Sequence, residues 1–138
     1  MPYRIAWEPV GVYRTYYGDV PGSERRKSLE EICGDPRFDS LRYAITDFLA
    51  AENLGESTLA ALEVAALNIG PLMTNPTIIL AAVAVDPSHR EYVERVRSHG
   101  FIKAPYEIFP TSALARLWIA ERTGVSVEDQ LAPAQPDA

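Results

Sequence analysis

The N-terminal part of the chain alternates between large apolar residues and small or polar ones. Tyr3, Ile5 and Trp7 are each followed by a small or polar residue, and this period of two predicts a half-buried β-strand. Residues 10–18 are rich in β-branched and aromatic side chains and predict a second strand. Pro9 cannot donate to a strand ladder and therefore marks the bend between them. We expect the two strands to pair antiparallel.

Beyond this hairpin, the hydrophobic pattern switches between helical and strand spacing. Helical patterns closed by glycine or proline signals occupy residues 21–34, 57–70, 86–100 and 110–122. Strand patterns occupy residues 41–48, 77–85 and 106–109. The stretch 77–85 is apolar without alternation, as is typical of a strand buried on both faces. In the last helix, Leu114, Leu117 and Trp118 form the predicted apolar stripe.

The order of these elements predicts the fold class. Strands that alternate with helices favour a parallel sheet with right-handed crossovers, and the hairpin adds one antiparallel strand. We therefore predict an α/β fold in ββαβαβαβα order, with a mixed, mostly parallel five-stranded sheet and four helices. Residues 1–123 form the single domain in this interpretation. Residues 124–138 are small, polar and acidic, with Pro133 and Pro136, and are predicted to be a disordered tail.

The helix predicted near residues 57–70 is apolar almost all the way round. Only Glu63 and Asn68 interrupt its interior, and a helix without a polar face must be covered on more than one side. Contact with a second copy of the chain, as a homodimer, is the preferred explanation. A pocket for a small apolar, lipid-like ligand is the alternative. The candidate self-association residues are Leu59, Leu62, Ala66, Ile69, Leu72 and Met73.

Composition and charge narrow the possible functions. The 138 residues carry 13 Lys and Arg against 19 Asp and Glu, a net charge of −6, which argues against nucleic-acid binding. The basic run 25–27 is interpreted as a solvated face neutralised by neighbouring glutamates. A single cysteine, Cys33, together with the lack of an apolar leader or a membrane-spanning run, suggests a cytoplasmic protein.

Ligands of open parallel sheets gather beyond the carboxyl ends of the strands, where helices begin. We call this edge the rim and expect it to bind a protein partner or a small ligand. Helix capping is the competing explanation for several of its polar residues. Among them, Asp47 is the hardest to explain as a cap, because it comes at the end of a predicted strand and has no obvious helix to cap. The candidate rim residues are Asp47, Asn53, Ser57, Thr58, Asp86, His89, Thr111 and Ser112.

Catalytic and metal chemistry find little support in the sequence. Asp47 and Asp86 could form an acid–base pair, and Cys33 could act with His89 or His99 as its base, although a thiol on an apolar stripe usually behaves as a small hydrophobe. The two histidines have no third ligand at regular spacing. Phosphate-loop, nucleophile-elbow and zinc-protease motifs are missing from the sequence. We expect no catalytic residue, no metal and no cofactor.

Several segments in this order resemble the STAS-like, or anti-anti-sigma-factor-like, superfamily, and in particular its small uncharacterised bacterial members. The segments are Asp35-Pro36-Arg37-Phe38, residues 41–47, and Phe109-Pro110-Thr111-Ser112-Ala113-Leu114 with Leu117-Trp118. The resemblance covers roughly residues 3–122 and is one of pattern.

The resemblance implies a binding module. Some members of that superfamily are switched by phosphorylation of a serine in an Asp-Ser-(Ser/Thr)-Gly motif. The nearest equivalent here, Gly55-Glu56-Ser57-Thr58-Leu59, lacks the aspartate and the glycine, so phosphorylation of Ser57 is weakly supported. A distant likeness to the CRAL-TRIO fold implies a lipid pocket. The functional hypothesis is a non-catalytic, cytoplasmic, self-associating protein-binding module, with a carrier of a small apolar ligand as the alternative.

Overall fold

The computed structural model describes residues 2–55, 69–98 and 102–132. Within these ranges the strands are β1 (Tyr3–Trp7), β2 (Gly11–Asp19), β3 (Tyr43–Asn53), β4 (Ile79–Val83) and β5 (Tyr106–Phe109). The α-helices are α1 (Gly22–Cys33), α2 (Ile69–Thr74), α3 (Pro87–Ser98), α4 (Ser112–Thr123) and α5 (Val127–Gln130). A 3-10 helix spans Pro36–Ser40.

The strands form one sheet in the order β1-β2-β3-β4-β5. The hairpin of β1 and β2 is antiparallel, and the pairs β2–β3, β3–β4 and β4–β5 are parallel. The predicted mixed, mostly parallel five-stranded sheet is therefore confirmed. Parallel neighbours end at one edge, so Val83 of β4 lies between Asp47 of β3 and Phe109 of β5.

Helices cover both faces of the sheet because alternate side chains of each strand point to opposite sides. On the first face, α1 and α3 pack against residues such as Val12, Tyr16 and Phe48. On the second face, α4 packs against residues such as Ile45 and Val83. We call these the α1–α3 face and the α4 face.

Strand β3 is longer than predicted. It continues past residue 48 to Asn53, because β2 also continues and pairs with it through irregular register as far as Asp19 opposite Asn53. Asp47 consequently lies in the interior of β3 and not at its end. Strand β4 is shorter than the predicted 77–85.

Gly70 and Pro71, predicted to end a helix, lie inside α2. Proline removes a donor but keeps its carbonyl, and the carbonyl of Pro71 accepts a hydrogen bond from the Asn75 N–H at 3.0 Å. The greater part of the predicted helix, residues 57–68, lies outside the described residues.

Within the apolar stripe predicted for the last helix, Trp118 packs against the core, but the two leucines do not face it. Ala115 and Ile119 are fully buried, so the opposite side of α4, with Leu114 and Leu117, faces solvent. A small alanine and a branched isoleucine fit against the tightly packed sheet, whereas the leucines have no neighbouring layer. The sequence pattern therefore indicated the correct helix, but it placed the two leucines on the wrong face.

The predicted disordered tail is corrected over residues 125–132. Helix α5 forms there, and the Gln130 side chain is fully buried. Its amide nitrogen donates to the carbonyls of Arg116 and Val125, both at 3.0 Å. These bonds hold α5 on α4, while residues 133–138 lie outside the described ranges.

None of the helices in the described ranges has the length and apolar character needed to cross a membrane.

Burial of β4 can be tested with matched valine truncations. Val83 is 0% exposed, whereas Val85, two residues later, is 58% exposed. Val83→Ala should lower the free energy of unfolding by about 2–4 kcal/mol, because it removes buried methyl groups and leaves a cavity. Val85→Ala should change it by less than about 0.5 kcal/mol. Urea denaturation of both variants measures the difference, and equal effects would contradict the enclosed position of β4.

Candidate functional site

Three predicted rim residues serve as local caps. Asp86 accepts hydrogen bonds from the Ser88 N–H at 2.8 Å and hydroxyl at 2.7 Å, and these bonds lower its pKa. The Thr111 hydroxyl accepts from the Leu114 N–H at 3.2 Å at the start of α4. Asn53 accepts from the Gly55 N–H at 2.8 Å. Each residue satisfies backbone donors where the chain leaves or enters an element.

Asp47 belongs to a different environment. The Tyr13 hydroxyl donates to its carboxylate at 2.5 Å, and the Leu49 N–H donates to it at 2.9 Å. Burial, and then the bond to Asp47, raise the pKa of Tyr13 above its usual range. Ser112 is half-buried and lines the same groove as Tyr13. Among the described residues Asp47 and Asp86 therefore have separate partners and do not form a hydrogen-bonded acid–base pair.

His89 is a core residue. Its side chain is 4% exposed and its ring lies 6.1 Å from the Phe48 ring, with Nε2 unbonded among the described residues. His89 lies in the first turn of α3, and its ring packs against the sheet at Phe48. Cys33 is half-buried, and burial raises the pKa of its thiol to about 11, so the unreactive thiol form prevails at neutral pH.

The remaining predicted site residues divide between described and undescribed parts of the chain. Met73 is 77% exposed, whereas Leu72 is half-buried and packs into the core below α1. Ile69 is the first residue of α2. Outside the described residues lie Ser57, Thr58, Leu59, Leu62, Ala66 and His99.

On the α4 face, the structure shows a polar network that the sequence patterns did not indicate. Arg116 donates to both carboxylate oxygens of Glu8, at 3.0 and 2.7 Å, and the two side chains are only 8% and 13% exposed. The Tyr43 hydroxyl also donates to Glu8, and Arg116 donates to the Gln130 side chain at 3.3 Å. Burial opposes the charge, but the bonds to Glu8 raise the pKa of Arg116.

This network explains why α5 is ordered. Glu8 follows β1, Arg116 is on α4 and Gln130 ends α5, so one buried ion pair joins three distant parts of the chain. An open groove of about 460 Å³ lies beside it, lined by Tyr13, Ser112 and Leu131 among others. Because the Arg116 fork is already satisfied by a carboxylate, the network acts structurally.

On the α1–α3 face, the structure contains an interior cavity of about 60 Å³. We call it the arginine cavity, since Arg14 of β2 and Arg25 of α1 both line it. Its wall is otherwise mainly apolar, with residues such as Val12, Leu29, Ile32, Phe38, Leu72, Ile78 and Leu80. The described part of its lining also includes the polar side chains of Tyr16, Thr46, Tyr92 and Tyr106 and the thiol of Cys33.

Both cavity arginines are bonded only to uncharged acceptors within the described residues. Arg14 donates to the hydroxyls of Ser28 at 3.0 Å and Thr46 at 2.8 Å. Arg25 is 2% exposed and donates to the carbonyls of Val20, at 2.6 Å, and Leu54. The guanidinium groups lie over tyrosine rings, Arg14 at 5.0 Å from Tyr16 and Arg25 at 4.7 Å from Tyr92.

Each of these guanidinium groups also has a buried Nε atom without a hydrogen-bond acceptor in the described part of the chain. No described Asp or Glu oxygen lies within 4 Å of either group. The interpretation of residues 25–27 as a wholly solvated face is therefore corrected for Arg25. The sequence contains a signal for the burial of Arg25, because this residue lies one helical turn before the apolar Leu29 and on the same side of the helix.

Within the described ranges, no group of three or more His, Cys, Asp or Glu side chains is arranged to hold a metal ion.

Solved structures share this arrangement of sheet and helices, which is the SpoIIAA-like, or STAS-like, α/β fold. The chain is similar to the anti-sigma factor antagonist SpoIIAA in its unphosphorylated form, with a TM-score of 0.57 and 10% sequence identity over 82% of this chain and 93% of that one. It is also similar to an uncharacterised protein of the DUF3478 family with a SpoIIAA-like fold from Shewanella loihica PV-4. There the TM-score is 0.55 and the identity 11%, over 85% of this chain and 93% of the other.

These comparisons confirm the fold that the sequence resemblance implied. Identities of 10% and 11% establish the fold alone, since one fold hosts many functions. No protein-family model matches the chain, and the comparison with curated proteins also gives no match.

The buried ion pair on the α4 face should be essential to stability. Arg116→Met should lower the free energy of unfolding by about 3–5 kcal/mol, because it leaves the Glu8 carboxylate buried without its partner. The double variant Glu8→Met/Arg116→Met should recover part of that loss, since no lone charge remains.

Arg37→Met is the matched control, because the Arg37–Asp35 pair is at the surface, and exposed pairs contribute little. Urea denaturation of all variants measures the effects. If Arg116→Met and Arg37→Met have the same stability, the network does not hold α4 and α5 in place.

Proposed function

We propose that this protein is a non-catalytic, cytoplasmic regulatory module that binds protein partners and self-associates. The SpoIIAA-like fold supports this role, since one of the similar solved structures is an anti-sigma factor antagonist, a protein that acts on another protein. The local hydrogen bonds of the rim carboxylates support the non-catalytic part of this proposal. Asp86 is a cap and Asp47 accepts from Tyr13, so neither is poised as a general base.

The observation that carries the proposal is the outward face of α4. Leu114 is 46% exposed and Leu117 is 58% exposed. The two side chains are three residues apart on one helix face, and the exposed Ala113 adjoins them. Exposed large apolar residues occur singly on most proteins, but contiguous ones mark interaction surfaces. We assign this face to a protein partner with a complementary apolar surface.

Self-association is assigned to the region from residue 57 to Met73. Its apolar composition calls for cover on more than one side. In the described part of this region, Leu72 packs inward and Met73 is 77% exposed. Methionine suits an adaptable interface because its side chain is flexible and polarisable. A symmetric pair would place the same surface of each copy against the other.

A carrier of a small apolar ligand is the second candidate function. The arginine cavity favours an interior ligand, because its wall is mainly apolar. Its volume of about 60 Å³ is well below the roughly 300–1,000 Å³ of typical ligand pockets. The cavity therefore favours a ligand much smaller than a lipid.

Sedimentation velocity tests self-association. At roughly tens of micromolar, within the range of ordinary weak interfaces, the protein should sediment above its 15.3 kDa monomer mass. Met73→Asp should shift it toward the monomer, because a carboxylate would be desolvated in the interface. Leu117→Asp is the matched control, since it places the same charge on the exposed face of α4, and it should leave the mass unchanged.

A strictly monomeric wild-type protein would contradict self-association. Dissociation by Leu117→Asp and not by Met73→Asp would show that α4 is the self-association surface and overturn the assignment to residues 57–73.

A further inference from the structure

The arginine cavity confines two positive charges inside the protein. Arg25 is almost completely buried, Arg14 is half-buried, and both line the same small space. Guanidinium groups stay charged in proteins. Burying a charge is costly unless an opposite charge or a set of hydrogen bonds compensates for it.

The described surroundings compensate for these charges only in part. Hydroxyls, carbonyls and tyrosine faces supply partial negative charge to Arg14 and Arg25. Both Nε–H donors remain without an acceptor, and no described carboxylate is within 4 Å. The α4 face shows the contrast, because there Arg116 is paired with the carboxylate of Glu8.

From this arrangement we propose that the arginine cavity binds a small carboxylate anion, with its carboxylate at Arg14 and Arg25 and its short apolar part against the aliphatic wall. This inference goes beyond the proposed protein-binding function and does not depend on it. Arginine is suited to the task because its planar fork of donors matches a carboxylate.

The size of the cavity limits the ligand. At about 10–15 Å³ for each water-sized group, the available 60 Å³ has room for roughly four to six non-hydrogen atoms. Propionate, with its carboxylate and two carbons, is of this size.

The wall favours a carboxylate over inorganic phosphate. Phosphate presents oxygen on every side and would leave some of it against Val12, Ile32 and Leu80, which line the cavity and donate nothing. A short-chain carboxylate has one charged end and one apolar end, which match the two kinds of surface.

Isothermal titration calorimetry of the whole chain tests the proposal, with sodium propionate, propionamide and sodium phosphate at constant pH and ionic strength. Propionate should bind saturably at one site per chain. Propionamide has the same shape without the charge and should bind at least about tenfold more weakly, because charge-assisted hydrogen bonds are lost. Phosphate should also bind at least about tenfold more weakly.

Arg14→Gln should weaken propionate binding at least about tenfold, whereas Arg4→Gln, which changes an exposed arginine on β1, should leave it unchanged. Circular dichroism establishes that the variants fold. If Arg14→Gln does not fold, the ratio of propionate to propionamide affinity in the wild-type chain decides the question.

Three outcomes would overturn the proposal. They are the absence of saturable propionate binding, equal binding of propionate and propionamide, and phosphate binding as tight as that of propionate. Equal binding of the two propionyl compounds would still support a carrier of small apolar ligands, so the two proposals fail separately. None of these outcomes bears on self-association.

Discussion

Both faces of the sheet bury guanidinium groups, and a buried positive charge must be compensated where it lies. On the α4 face, the chain supplies the compensating carboxylate itself, because Glu8 pairs with Arg116 and the hydroxyl of Tyr43 completes the set. On the α1–α3 face, Arg14 and Arg25 are bonded to neutral acceptors. The Glu8–Arg116 pair therefore stabilises the fold, whereas the arginine cavity has positive charge available to bind an anion.

Strand geometry produces this division of roles. Side chains alternate across a strand, so Tyr13 of β2 faces Asp47 on the α4 side, whereas Arg14 faces Thr46 on the other side. The parallel pairing of β2 with β3 brings each partner into reach. Three of the six rim residues in the described ranges cap local backbone donors, whereas the polar networks lie between the sheet and its helices.

The sequence predicted the topology well because strand alternation, helix spacing and glycine–proline breaks are local signals. It predicted the site poorly because long-range contacts decide the site. Leu114 and Leu117 form an apolar stripe, yet the neighbouring Ala115 and Ile119 fit the sheet and turn that stripe outward. Residues 125–132 have the composition of a polar tail, but the Gln130 side chain donates to the Arg116 carbonyl and holds this segment on α4. Arg25 belongs to a charged run, and its burial follows from the carbonyls of Val20 and Leu54.

Nuclear magnetic resonance of the arginine Nε–H groups tests most directly whether an anion compensates for the charges of Arg14 and Arg25. On titration with propionate, the Nε–H signals of Arg14 and Arg25 should shift together and saturate, because these buried donors gain an acceptor. The signal of Arg116, already paired with Glu8, should not move. Shifts confined to exposed arginines such as Arg4 would contradict anion binding at the arginine cavity.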